Sequence, residues 1–299
     1  MIKKPKLLII CGPTASGKSK FAMELAKKIT GEIVNIDAIQ VYKELPILTC
    51  SPTIEDKYYT PHHLYNHISI TDNYSAGIYL DESIQIIKDI TARNSIPIVV
   101  GGTGLYIKAL CEGLSDIPSI PDEIRQIVRE LFEKIGKEEF YRKLSLLDNE
   151  AAIKLEPSNS QRLMRAYEVF LYTGKSIYEY YKSDIKSPIH GYDVKTLILI
   201  PDRNELYARC DQRFIELMKI GAIEEVKSMG GIDISKIKAI GFAEITQYLD
   251  GVISKQEAIK LAQTKTRQYA KRQITWFKHQ ISGDKKFITD PLNREYKIW

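Results

Sequence analysis

The sequence predicts an α/β fold, a parallel sheet core wrapped by helices, with an all-helical domain inserted into it. Three observations carry that prediction. Short apolar runs alternate with amphipathic stretches through the first hundred residues, and the run Ile96–Val100 (IPIVV) is apolar throughout, as suits a strand buried on both faces. From Asp122 to Tyr181, in contrast, nothing reads as a strand and charged helical patterns follow one another.

Taken in order, Leu7–Cys11 is a short buried strand, and GPTASGKS follows it at once, from Gly12 to Ser19. This is the pattern GxxxxGK[ST], in which each residue type has a reason. The turn Gly12, Pro13, Thr14, Ala15, Ser16, Gly17 lets backbone N–H groups point inward at phosphate oxygens, Lys18 reaches the terminal phosphates, and the Ser19 hydroxyl suits Mg²⁺. The next helix, Lys18–Ile29, buries Phe21, Ala22, Leu25, Ala26 and Ile29, and adds its positive N-terminal dipole to the loop. The core is therefore expected to be P-loop NTPase-like.

A second strand, Glu32–Ile36, ends at Asp37, and a helix covers Ala76–Ala92. The strand Ile96–Val100 runs into Gly101-Gly102-Thr103 and a helix from Leu105. Around Pro118 and Pro121 the character changes, so the core divides into residues 1–118 and 189–299, with the helical insertion at 119–188. Thr196–Ile200 is a returning core strand, followed by helices over Glu205–Met229, Phe242–Leu249 and Lys255–His279. Residues 283–299 are too mixed to assign, and the pair His62-His63 lacks further ligands at metal spacing.

Composition narrows the class. The net charge of +5 is only mildly basic, but in the stretch Lys255–Lys278 seven cations (Lys255, Lys260, Lys265, Arg267, Lys271, Arg272, Lys278) face Glu257 alone. Such a helix is either a solvated face or a nucleic-acid surface. The four cysteines form no CxxC pair, which points to reduced thiols in a cytoplasmic protein rather than a disulfide framework or zinc site. No segment is apolar for long enough to span a membrane.

The P-loop pattern implies a diphosphate or triphosphate without saying whose. A hydrolase or kinase of this class holds its metal with an Asp at the end of a neighbouring strand, whereas the third strand here ends in Gly-Gly-Thr. No NKxD pattern for guanine is present. The one acidic residue ending an early strand is Asp37, which suits a metal ligand, a proton acceptor or a turn residue.

Six stretches, GPTASGKS, DAIQVY, VVGGTGLYIKAL, LEPSNSQRLMRAYEVFLYTGK, AIGFAEITQYL and TRQYAKRQITWFK, resemble in order the motifs of the tRNA dimethylallyltransferases, also called tRNA isopentenyltransferases. They extend from Gly12 to Lys278. The resemblance implies transfer of a five-carbon dimethylallyl group from dimethylallyl diphosphate, with Mg²⁺ as cofactor, to N6 of the adenosine conventionally numbered 37 beside the anticodon of tRNA. The partner is then the tRNA anticodon stem-loop, and the enzyme is expected to act as a monomer.

The same resemblance makes Asp37 the catalytic base and sets Thr103 near the diphosphate and the attacking amine. It gives Arg213 to the diphosphate beside the P-loop, and Arg125 to tRNA. In the segment Asp37, Ala38, Ile39, Gln40, the family's usual Ser is replaced by Ala38, and Gln40 suits an adenine edge. In QRLMR (Gln161, Arg162, Leu163, Met164, Arg165), helical spacing makes Leu163, Tyr167 and Phe170 an apolar stripe and leaves Gln161 and Arg165 for RNA. By resemblance alone the turn Ala239, Ile240, Gly241, Phe242, Ala243, Glu244 also meets RNA, whereas Arg267, Lys271 and Arg272 beside Tyr269 and Trp276 are the basic and aromatic groups that a phosphate-rich, base-stacking partner wants. Two alternatives stand beside this reading: a P-loop nucleoside or nucleotide kinase, and a non-catalytic RNA-binding protein, which would give Asp37 and the P-loop no purpose.

Overall fold

A computed structural model describes residues 4–182, 184–230, 237–281 and 285–289. Its centre is a six-stranded, wholly parallel sheet in the order β3-β2-β4-β1-β5-β6, with β1 at Lys6–Cys11, β2 at Gly31–Asn35, β3 at His62–His63, β4 at Ile96–Gly101, β5 at Asp193–Leu199 and β6 at Lys285–Ile288. Every residue from Leu7 to Cys11 is fully buried because both sheet faces are covered. Leu7, Ile9 and Cys11 pack on one face with Tyr79, Ile87 and Ile90 of α3 (Ala76–Ala92) and Tyr106, Ile107 and Leu110 of α4 (Gly104–Glu112). Leu8 and Ile10 pack on the other with Phe21, Ala22 and Ala26 of α1 (Lys18–Ile29). Burial of each such aliphatic side chain stabilises the core by roughly 1.5–3 kcal/mol.

Several elements differ from the sequence expectation. The second strand spans Gly31–Asn35, one residue early, because Asn35 is already turning the chain with its side chain. The helix expected over Glu205–Met229 is two helices, α9 (Arg203–Lys219) and α10 (Ala222–Ser228), broken at Gly221, whose φ of +117° lies outside helical geometry. The short helix α2 (Ile54–Tyr59) buries none of its residues and so has no apolar periodicity to reveal it; a Thr53–Asp56 capping box starts it. His62-His63 proves to be an edge strand pinned to β2 by a 2.8 Å bond from His63 Nε2 to Glu32, which Arg93 also grips at 2.8 Å. Part of the unassigned tail, Lys285–Ile288, pairs with β5; residues 290–299 lie outside the described residues.

The chain divides into two compact units, Met1–Glu112 with Ser187–Trp299 and the inserted Gly113–Lys186. The insertion thus begins earlier than the expected 119 and ends before 188. The reason is local: the backbone at Gly113 runs against Ile185 and Lys186, so the entering and leaving segments belong to one body. Within that unit α5 (Asp122–Leu147, bent at Gly136), α6 (Asn149–Lys154), α7 (Ser160–Thr173) and α8 (Ile177–Tyr181) close around Val128, Phe140, Leu144, Leu163, Ala166 and Val169. Back in the core, α11 (Phe242–Leu249) and α12 (Lys255–Gln280) complete the described helices, α12 opening on a Ser254–Glu257 capping box.

Candidate active site

Parallel strands all end at one edge of the sheet, and the loops that follow them form a crevice there. β1 delivers the P-loop, β2 delivers Asp37 and β4 delivers Gly102-Thr103 to that edge. In the P-loop, Ala15 (φ +62°) and Gly17 (φ +88°) are left-handed, which curls the backbone before α1 begins. The first turn of α1 leaves its N–H groups without intrahelical acceptors, as every helix does. The Ser16 hydroxyl is fully buried without a hydrogen-bond partner, although buried hydroxyls are almost always paired.

Two cations converge on this loop. Lys18 reaches the Pro13 carbonyl at 3.3 Å, and Arg213 of α9 bonds through Nη2 to the Thr14 hydroxyl. Burial lowers the Lys18 pKa, the Asp37 charge opposes that shift, and Arg213 adds to it. An anion seated between Lys18 and Arg213 removes their mutual repulsion and supplies an acceptor for Ser16, so the donor set fits a diphosphate. For Mg²⁺ the loop offers the exposed Ser19, and no group of three His, Cys, Asp or Glu among the described residues makes a metal cage. If Mg²⁺ binds here, the Ser19 hydroxyl would be the protein's ligand to it, since this ion usually takes its remaining oxygens from substrate phosphates and water.

Asp37 is held by its neighbours. The buried Asn35 accepts the Asp37 N–H at 2.9 Å and donates to the carbonyls of Asp37 (3.0 Å) and Leu64 (2.9 Å). Asp37 Oδ1 accepts the Ile39 N–H at 3.0 Å. The Thr103 hydroxyl accepts the Ala38 N–H at 2.9 Å, so Thr103 ties the β4 turn to the Asp37 segment. Tyr65 and Tyr269 are shifted upward by burial and by the Asp37 charge, and Tyr106 by burial, Tyr42 and Asp37; these phenols stay protonated beside the carboxylate.

Gln40 is less free than its sequence position implies. Its Nε2 donates to the carbonyls of Thr49 (3.0 Å) and Cys50 (2.9 Å), which leaves only Oε1 for an adenine edge. The turn that supplies those carbonyls is fixed in its own right, because Glu225 of α10 accepts the N–H groups of Ile47 and Leu48, each at 2.7 Å.

The RNA candidates divide by exposure. Lys271 and Arg272 are exposed on α12, with Arg272 over the Tyr269 ring at 5.8 Å, whereas Arg267 is committed to Asp211 and to Thr264 (3.0 Å). The expectation for Ala239–Glu244 is corrected at the side-chain level: Ala239, Phe242 and Glu244 are buried, Glu244 accepts the Gly241 N–H at 2.9 Å and pairs with Lys265, and only Ile240 and Ala243 are half-exposed. Within the helical unit, Gln161 and Arg162 are exposed, Arg165 is bonded to Glu168 at 3.4 Å, and Met164 packs against the unit's core. Leu163 is fully buried, so it stabilises that unit and offers no side chain to RNA. Arg125 meets Asp122 at 3.7 Å and its buried Nε has no partner.

Asn35, Glu225 and Gln273 are the residues that motif reasoning missed. Gln273, 6% exposed, joins the P-loop to the Gly102 turn through Thr14 (2.8 Å) and Gly102 (2.9 Å). A signal for it existed, since the buried stripe of α12 is otherwise Ala258, Ala262, Thr266, Ala270 and Phe277.

Comparison with known proteins agrees with this geometry. The IPP transferase family model matches residues 40–280, and an isopentenyl transferase model matches residues 5–66. A tRNA dimethylallyltransferase of Rickettsia bellii is 45% identical over 297 residues, 98% of this chain and 94% of the relative. One of Rickettsia massiliae is 46% identical over 98% of this chain and 81% of its own length. The crystal structure of a tRNA isopentenylpyrophosphate transferase from Bacillus halodurans superposes with a TM-score of 0.66 at 32% identity, covering 96% of this chain and 91% of that one. A eukaryotic dimethylallyltransferase acting on tRNA superposes with a TM-score of 0.79 at 30% identity, covering 96% and 74%. With an anion cradle and a carboxylate brought to one sheet edge, and with relatives this similar over nearly the whole length, the chain belongs to the IPP transferase family, as a tRNA dimethylallyltransferase.

Proposed function

We propose that this protein transfers the dimethylallyl group of dimethylallyl diphosphate to N6 of adenosine 37, next to the anticodon of tRNA, releasing diphosphate. The observation that carries this reading is the joint placement of the P-loop, with its orphaned Ser16 hydroxyl and its Lys18–Arg213 pair, and of Asp37 at the same sheet edge. The exocyclic amine of adenine is a poor nucleophile because its lone pair is delocalised into the ring. As N6 forms its bond to the allylic carbon, the carbon–oxygen bond breaks and its electron pair leaves with diphosphate. Asp37 takes the N6 proton, and Lys18, Arg213 and the loop amides hold the developing charge on the leaving group. Mg²⁺ beside Ser19 would neutralise part of that charge when bound. Tyr65, Tyr106 and Tyr269 lie within electrostatic reach of the carboxylate, whose charge helps to keep their phenols protonated. The basic face of Lys271 and Arg272 suits a phosphate backbone, and extrusion of the adenosine from its stack would bring N6 to Asp37. We place the protein in the cytoplasm, acting as a monomer.

Purified protein incubated with unmodified tRNA and labelled dimethylallyl diphosphate should place label in the RNA, and nucleoside mass spectrometry should find it on N6-modified adenosine. Label that stays out of the RNA overturns the reading. A chelator should abolish transfer and added Mg²⁺ restore it; transfer that survives the chelator removes the metal from the scheme.

A further inference from the structure

β1 and β4 are hydrogen-bonded as far as the pair Cys11–Gly101, and there the sheet ladder ends. One loop carries on as the leaving-group cradle and the other as Gly102-Thr103, whose hydroxyl holds Ala38 beside Asp37. What joins them beyond the sheet is the Gln273 amide, with Oε1 on the Thr14 N–H at 2.8 Å and Nε2 on the Gly102 carbonyl at 2.9 Å. The fit is tight, since a Cβ on Gly102 would stand 2.5 Å from Nε2. Burying a primary amide costs free energy unless its groups are paired, and a helix stripe made mostly of alanine has apolar alternatives at this position.

We propose that Gln273 is a positioning residue for the transfer reaction: it fixes the spacing between the diphosphate cradle and the Thr103–Ala38–Asp37 side of the site. The proposal rests on the prenyl-transfer reading above. Its physical basis is that the attacking nitrogen and departing oxygen must sit in line on either side of one carbon, and a misplacement of about 1 Å costs on the order of a hundredfold in rate. Gln273 touches no reacting atom; it acts through the two loops.

Two substitutions separate bridging from space-filling. Q273M keeps the volume and loses both hydrogen bonds, while Q273N keeps the amide but is one methylene too short to span the loops. Steady-state kinetics with a tRNA anticodon stem-loop should show both variants losing about tenfold in kcat and gaining KM for dimethylallyl diphosphate, with tRNA affinity unchanged. A space-filling role predicts a Q273M enzyme with parental constants, and that result overturns the proposal. A parent protein that transfers no prenyl group defeats the functional reading instead. In that case, or if the variants fail to fold, amide exchange in the ligand-free parent decides: the Thr14 N–H should exchange slowly, and exchange at the rate of an exposed loop amide removes the bridge.

Discussion

Asp37 and Arg213 do opposite electrostatic work in the proposed reaction, and single substitutions separate them. Asp37→Asn keeps the hydrogen bond from Ile39 but cannot take a proton, so transfer should fall by about a hundredfold or more while tRNA binding, measured by filter retention, persists. Equal loss of both would make Asp37 structural. Arg213→Ala removes a charge from the Thr14 side of the cradle and should raise KM for dimethylallyl diphosphate on the order of tenfold, with tRNA affinity intact. At this scale the sequence singles out the P-loop because its chemistry demands fixed residue types at fixed spacing, and Asp37, Thr103 and Arg213 through resemblance; the structure sets Thr103 against the Asp37 segment and Arg213 against the P-loop. Gln40 and Glu244 are half-readable: the residue types suit recognition, but the Gln40 Nε2 is already taken by Thr49 and Cys50, leaving Oε1, and the Glu244 carboxylate by Gly241 and Lys265. No local pattern tells an amide aimed at a ligand from one aimed at its own backbone.

Between residue and fold, the element that governs Gln40 is the turn Leu45–Cys50, anchored from α10 by Glu225. Glu225→Ala leaves two backbone N–H groups without their acceptor, so it should destabilise the protein by about 1–3 kcal/mol in urea denaturation and raise KM for tRNA through a loosened Gln40. On α12, Lys271→Ala with Arg272→Ala should weaken tRNA binding and reduce the slope of log affinity against log salt by about two. An unchanged slope would mean that this face meets solvent only. Periodicity exposed most elements, because α1, α3, α7 and α12 each bury one stripe. It could not reveal α2, which buries nothing, nor the break at Gly221, where apolar spacing continues across a backbone that does not.

For the molecule as a whole, the buried contributor to acid stability is Glu32, the least exposed of the described carboxylates held below their ordinary range. Burial raises the Glu32 pKa, but its bonds to Arg93 and His63 outweigh that and hold it below the ordinary 4.5. A carboxylate depressed in the folded state stabilises above its unfolded value, and that contribution disappears as pH falls through the folded one. Glu32→Gln should therefore lower the thermal midpoint at neutral pH, and the difference should narrow once the pH drops below 4.5. The parallel core was legible because both-face burial leaves uninterrupted apolar runs, whereas the order of its strands was not, since pairing between β1 and β5 joins segments that no local pattern connects. That pairing also has a consequence for synthesis. β1 is made first, yet one of its two neighbours, Asp193–Leu199, emerges only after the whole helical unit has been translated. Until then a nascent chain carries an apolar strand with one open side, the kind of surface chaperones bind, so stalling translation near Lys186 should yield a species prone to aggregate, while the full-length chain, with β5, β6 and α12 in place, should not.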